Sequence, residues 1–130
     1  MAGTKASTQY LRDVALQAKA NFDTDIHKCH QVSSAVEDKY HQRGLPGTVT
    51  ERAIGDKHAT HFVILYDSAK ICNIEADTGQ TIIDPTIQQF SLRNYFKGAV
   101  EVGLDKLENL PEIGIYPPDS EERKVWYHRK

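Results

Sequence analysis

The chain has 130 residues, with 16 Lys plus Arg against 18 Asp plus Glu and a formal net charge of -2. That is the length of one domain, and a hydrophobic content of 39% is enough to close a single core, which argues against a disordered chain. The near-neutral balance provides no broad basic field, so no nucleic-acid partner is expected, and the longest apolar run, Phe62–Tyr66, falls far short of the roughly 20 residues a membrane span needs.

Residues 1–6 are expected to be a frayed end with no secretory h-region. Ser7 or Thr8 caps a helix running to about Ala20, with Leu11, Val14, Ala15 and Ala18 on one apolar face. Segment 7–22 therefore reads as an N-terminal packing helix. Asn21–Asp25 breaks it, because short polar side chains compete for neighbouring backbone groups. Thr24 or Asp25 then caps a second helix, from about Ile26 to Arg43, with Gly44 as its stop. Cys29, Val32, Val36 and Tyr40 share its buried face, which places Cys29 in the first or second turn.

From Thr48 onward the pattern is no longer helical. Thr60–Tyr66, rich in aromatic and β-branched residues, reads as a central strand. Asp67–Lys70 is a turn, Ile71–Ile74 a second strand, and Gln80–Ile83 a third, stopped by Asp84-Pro85. Together they predict an antiparallel meander. Beyond it, Gln88–Phe96 is loop or short helix, Ala99–Val102 a short strand and Leu104–Leu110 a short helix. Ile113–Tyr116 is an edge strand, Glu121–Lys124 a solvated charge run, and Lys124–Tyr127 a last strand. The fold class is α+β in a single domain spanning 1–130.

Three residues stand where chemistry needs them. Cys29 lies near a helix N-terminus, whose dipole favours a thiolate. His61 opens a strand and Asp84 closes a later one. An imidazole beside a thiol makes a thiolate–imidazolium pair, and a carboxylate on the far ring nitrogen fixes its tautomer. Backbone N–H groups at the helix start supply an oxyanion site. Cys72 sits mid-strand and reads as core. Two cysteines in such different contexts do not form a disulfide framework. No CxxC, HExxH or GxGxxG is present, so neither a metal nor another cofactor is expected.

A helix led by Cys29, then His61-Phe62-Val63-Ile64-Leu65, then Ile82-Ile83-Asp84-Pro85-Thr86 and Gln89-Phe90, resembles the papain-like and transglutaminase-like cysteine hydrolase superfamily. The resemblance covers about residues 25–110, with Val100–Leu104 fitting its tail. It implies a papain-like core in which a Cys-bearing helix packs on an antiparallel sheet, with Cys29, His61 and Asp84 catalytic. The gaps of 32 and 23 residues between them suit a compact core. The chain departs from papain-type enzymes at His30, where Trp follows the cysteine, and it has no glutamine just upstream. Phe62 also stands where Trp is common. The oxyanion donor is thus left open among backbone N–H groups, Asp23, Thr24, Asp25 and His27. Gln89 and His58 are further candidates for substrate contact.

The implied activity is hydrolysis of an amide through a thioester, as a peptidase or glutamine deamidase on a protein or peptide. Transglutamination shares the same intermediate. The short, leaderless form is similar to toxin domains at the C-terminal ends of bacterial polymorphic toxins. These include contact-dependent inhibition and secretion-system effectors, delivered from a secreted parent into a target-cell cytoplasm and neutralised by a cognate immunity protein. Two other readings compete. One is a metal-independent ribonuclease toxin using His58, His61 and Lys57. The other is a non-enzymatic binding module in which the three residues are incidental.

Overall fold

A computed structural model describes residues 5–24, 27–74, 79–90 and 110–129. The chain is α+β. A short strand β1 (Ala6–Ser7) leads into α1 (Thr8–Lys19), whose N-cap Ser7 accepts from the Tyr10 amide at 3.0 Å. Leu11, Val14, Ala15 and Ala18 are buried, so the predicted apolar face is the packing face. It lies against α2 (Cys29–Gln42), which buries Val32, Ser33, Val36 and Tyr40. The Tyr40 hydroxyl donates to Leu11 O at 2.9 Å, so the largest side chain between the helices is also hydrogen-bonded across them.

The other layer is a five-stranded sheet in the order β6-β5-β3-β2-β7, with every neighbouring pair antiparallel. Its strands are β2 (Thr48–Ile54), β3 (Ala59–Asp67), β5 (Gln80–Asp84), β6 (Gly114–Tyr116) and β7 (Tyr127–His128). The intervening β4 (Ile71–Cys72) pairs elsewhere. Alternation along β3 and β5 divides the core. Ile64, Tyr66 and Ile83 face the helices, and Val63 and Ile82 face the opposite side with Ile54, Ile87, Phe90, Leu110, Tyr116 and Tyr127. Each fully buried Val or Ile contributes about 1.5–3 kcal/mol. Tyr116 on one edge strand and Tyr127 on the other have ring centroids 5.7 Å apart. The sheet is therefore curled until its edges nearly meet, and this second cluster fills the concave side.

Several expectations change. The second helix starts at Cys29, with Lys28 and not Thr24 or Asp25 at the N-cap position, and the Lys28 side chain makes no capping hydrogen bond. His27 adopts a positive φ of 59° immediately before it, so the turn that would have continued an earlier helix is broken there. Thr48–Ile54 is a full strand that pairs with β3 over its whole length. The Ile71–Ile74 strand does not join the meander: only Ile71–Cys72 is extended, and it runs parallel to Ala6–Ser7. Residues 1–6 are accordingly not all frayed, since Ala6 is buried in the helix-side core. The Glu121–Lys124 charge run is part of a helix, α3 (Glu121–Val125), capped by Ser120, and the last strand begins only at Tyr127. Ile87–Phe90 forms a short 3-10 turn. The strand expected at 99–102 and residues 104–109 of the helix expected at 104–110 lie outside the described residues, as do residues 91–96. Among the described residues no helix is long and apolar enough to cross a membrane.

Candidate active site

Register places the histidine and the carboxylate on one face. His61 near the start of β3 and Asp84 at the end of β5 both point to the concave side with Val63 and Ile82. Both are fully buried. His61 Nε2–H donates to Asp84 Oδ2 at 2.7 Å. The same Oδ2 accepts from the Tyr127 hydroxyl at 2.7 Å, while Oδ1 accepts from the Thr86 amide at 3.1 Å and more distantly from its hydroxyl. The Asp-Pro-Thr turn that ends β5 thus satisfies one carboxylate oxygen, and the two facing side chains satisfy the other. Phe90 lies edge-on against the His61 ring at 4.9 Å and helps keep water from the pair.

Cys29 approaches the ring from the other side. It is the first residue of α2 and is partly accessible. Ser33, one turn later, donates its hydroxyl to Phe62 O at 3.1 Å, pinning the helix start to the strand residue after His61. With Nε2 committed to Asp84, the remaining nitrogen, Nδ1, is buried without a fully formed hydrogen bond, and Cys29 is the thiol that acts on the ring.

The electrostatics follow from this arrangement. Burial by itself disfavours a charged His61, but the Asp84 carboxylate, with a smaller contribution from Cys29, overcomes it and the pKa is pushed up to about 9. Burial likewise works to raise the Cys29 pKa. It is outweighed by the adjacent His61 ring and its charge, aided by the Phe62 backbone, and the thiol ends below its ordinary value. Each group favours the charged form of the other, so the pair titrates as a unit. The N-cap Lys28 makes no side-chain capping hydrogen bond, and the amides of a helix's first turn, here beginning at Cys29 itself, have no partners within the helix.

Of the expected site residues, Cys29, His61 and Asp84 come together. Gln89 joins them one step removed. Its Nε2 donates to Thr86 Oγ1 at 3.0 Å, and its Oε1 accepts from the His27 amide at 3.3 Å, tying the Asp84 turn to the loop before Cys29. That amide is therefore occupied and does not serve an oxyanion. Asp23 and Thr24 are exposed. Asp25 lies outside the described residues. His58 does not enter the site: it is exposed at the β2–β3 turn with φ 51°, its ring stacked on His128 at 4.6 Å. No hydrogen bond joins it to His61, so the two histidines are not presented as an acid–base pair. Tyr127 and Thr86 are the hydrogen-bond partners of Asp84 that sequence reasoning passed over. Thr86 stood in the quoted Asp-Pro-Thr stretch, but nothing near Tyr127 signals a link to a residue 43 positions away.

Both cysteines are free thiols. Among the described residues no group of three or more His, Cys, Asp or Glu is arranged to hold a metal ion. Comparison with family models, curated proteins and solved structures finds no match.

Proposed function

We propose that the protein is a thiol-dependent amide hydrolase with a papain-like core, using Cys29 as nucleophile, His61 as proton carrier and Asp84 as its orienting carboxylate. The observation that carries this reading is the His61 ring, held at Nε2 by buried Asp84 while its second nitrogen is left to a thiol at the first residue of α2.

The Cys29 thiolate adds to the carbonyl carbon of an amide, and the carbonyl π pair moves onto oxygen, facing the first-turn amides of α2. The tetrahedral species collapses as the C–N bond breaks and the His61 Nδ1 proton passes to the departing amine. A thioester remains on Cys29. Water, deprotonated by the now neutral Nδ1, adds to that thioester. Collapse releases the acid, and the thiolate–imidazolium pair is restored. A peptide amine as leaving group makes this a peptidase; ammonia from a glutamine makes it a deamidase. Water is the default acceptor, which favours hydrolysis over transfer to an amine. The domain's place as a bacterial toxin or effector piece, checked by an immunity protein, rests on the motif resemblance alone.

Iodoacetamide labelling at pH 6, read by peptide mass, tests the nucleophile. Cys29 should alkylate on the order of 10-fold or more faster than Cys72, and His61→Ala should abolish the difference. Equal rates at the two sulfurs in the native protein would remove the basis of the proposal. Loss of toxicity on cytoplasmic expression of Cys29→Ala, beside a toxic parent chain, is the expected result for the effector reading.

A further inference from the structure

Away from the sulfur, four cations converge with no acid among them. Arg52 of β2, Arg123 and Lys124 of α3, and Arg129 just after β7 line one cavity of about 380 Å³, with Gln80 and Tyr127 completing its wall. Register accounts for part of this: Ala53 pairs with His128, so Arg52 and Arg129 project to the same side of neighbouring strands. Helix α3 then brings Arg123 over them. Among the described residues no carboxylate forms an ion pair with any of these four side chains. Arg52 gives one hydrogen bond, from a terminal nitrogen to Glu51 O at 3.1 Å, and the Nε–H groups of Arg52 and Arg123 are buried without a partner. Like charges held together in this way oppose one another. The pKa of Arg52 is lowered by burial and then by Arg129, and that of Arg123 by burial and then by Arg52 and Arg129. Folding normally avoids both conditions, unpaired buried donors and an uncompensated cation cluster. Both are relieved by an anion.

We propose that this cavity is a binding site for a multiply charged phosphate group on a small molecule. Guanidinium forks match phosphate oxygens in a bidentate manner, and three forks with one ammonium exceed the demand of a carboxylate. The volume exceeds that of an ordered water many times over and lies within the range of small-ligand pockets. A linked pair of phosphates is the simplest occupant that engages all four cations. The overall charge of -2 makes the cluster a local feature and not part of a basic face, which is why a compact anion is preferred to a nucleic-acid backbone. The site does not depend on the amide chemistry, although the two share Tyr127, which lines the cavity and donates its hydroxyl to Asp84.

Isothermal titration at 150 mM NaCl with orthophosphate, pyrophosphate, adenosine triphosphate and a single-stranded oligonucleotide tests the site on the intact chain. Pyrophosphate should bind more tightly than orthophosphate. Arg129→Gln, an exposed change remote from the core, should weaken pyrophosphate by about tenfold or more. Comparable affinity for pyrophosphate and adenosine triphosphate would indicate the phosphates alone as the recognised group; tighter binding of the nucleotide would indicate an organic body beyond them, and both support the site. Arg123→Gln serves as the second variant: it should lose pyrophosphate binding while keeping or raising the melting temperature without ligand, because it removes one member of a repelling cluster. No pyrophosphate binding, binding unchanged in both variants, or binding confined to the oligonucleotide would overturn the proposal.

Discussion

Asp84→Asn separates charge from shape at the centre of the site. His61 titrates at about 9 in the folded protein against about 6.5 for an unperturbed imidazole, a difference worth about 3 kcal/mol. The sign follows from the direction of the shift. A group whose pKa is raised by folding stabilises the fold fully below its unfolded pKa, and that contribution disappears as pH climbs through the folded value. Stability from this residue should therefore be complete below about pH 6.5 and gone above about pH 9. The measurement belongs in a Cys29→Ala background, where thiol titration does not overlap. Most of the effect survives there, because Asp84 raises the His61 pKa more than Cys29 does. With Asp84→Asn the raising charge is lost, burial prevails, and the imidazole stays neutral through this window. The amide also turns a donor toward the Thr86 N–H or its neighbours, a loss of about 1–3 kcal/mol at every pH. The informative quantity is thus the slope. Urea unfolding between pH 6 and 9.5 should show stability falling by up to about 3 kcal/mol with Asp84 and nearly flat with Asn, and a ring-proton titration should follow His61 directly. Equal slopes in the two proteins, or His61 titrating near 6.5 with Asp84 intact, would refute the electrostatic account.

Tyr127→Phe removes one charge-assisted donor from buried Asp84 without changing shape; a stability loss of about 1.5–3 kcal/mol in denaturant titration is expected, with a smaller fall in turnover than Asp84→Asn gives. Gly114→Ala puts a methyl group within 2.5 Å of the buried Tyr116 ring, so the ring or the strand must shift, and a loss of about 1–3 kcal/mol should appear as a lower melting temperature. Gln89→Ala cuts the tie between the Asp84 turn and the His27 amide, and Cys29 alkylation should slow while the pH dependence of His61 is retained.

The parts of the fold that were legible are those whose signals are local. The i, i+3, i+4 spacing of Leu11, Val14, Ala15 and Ala18 gave α1 almost to the residue, and the aromatic and β-branched content of Thr60–Tyr66 gave the central strand. Asp84 was placed at a strand end because Pro85 cannot continue a ladder. Strand β2 escaped notice because Thr48–Arg52 has polar residues at most positions and only Ala53 and Ile54 are buried, so no alternation marks it. The β1–β4 pair is two residues long on each side and exists through a contact 65 positions apart, which no window detects. The start of α2 was misplaced because Thr24 and Asp25 are good caps locally, whereas His27 takes a positive φ with its amide bonded to Gln89, so the helix begins only after it. Tyr127 was invisible as a site residue for the same reason: its role depends on a sheet curled edge to edge.

Cys29 belongs to the helical layer, while His61, Asp84 and Tyr127 belong to the sheet. Its acidity is therefore acquired at assembly. Whenever α2 lifts from β3, through local opening or incomplete folding, the Cys29 sulfur loses the neighbour that lowers its pKa. Reactivity toward a small electrophile thus reports layer docking in real time, and a stopped-flow refolding experiment should see it emerge together with the burial of Tyr40 and Tyr66 between the same two layers.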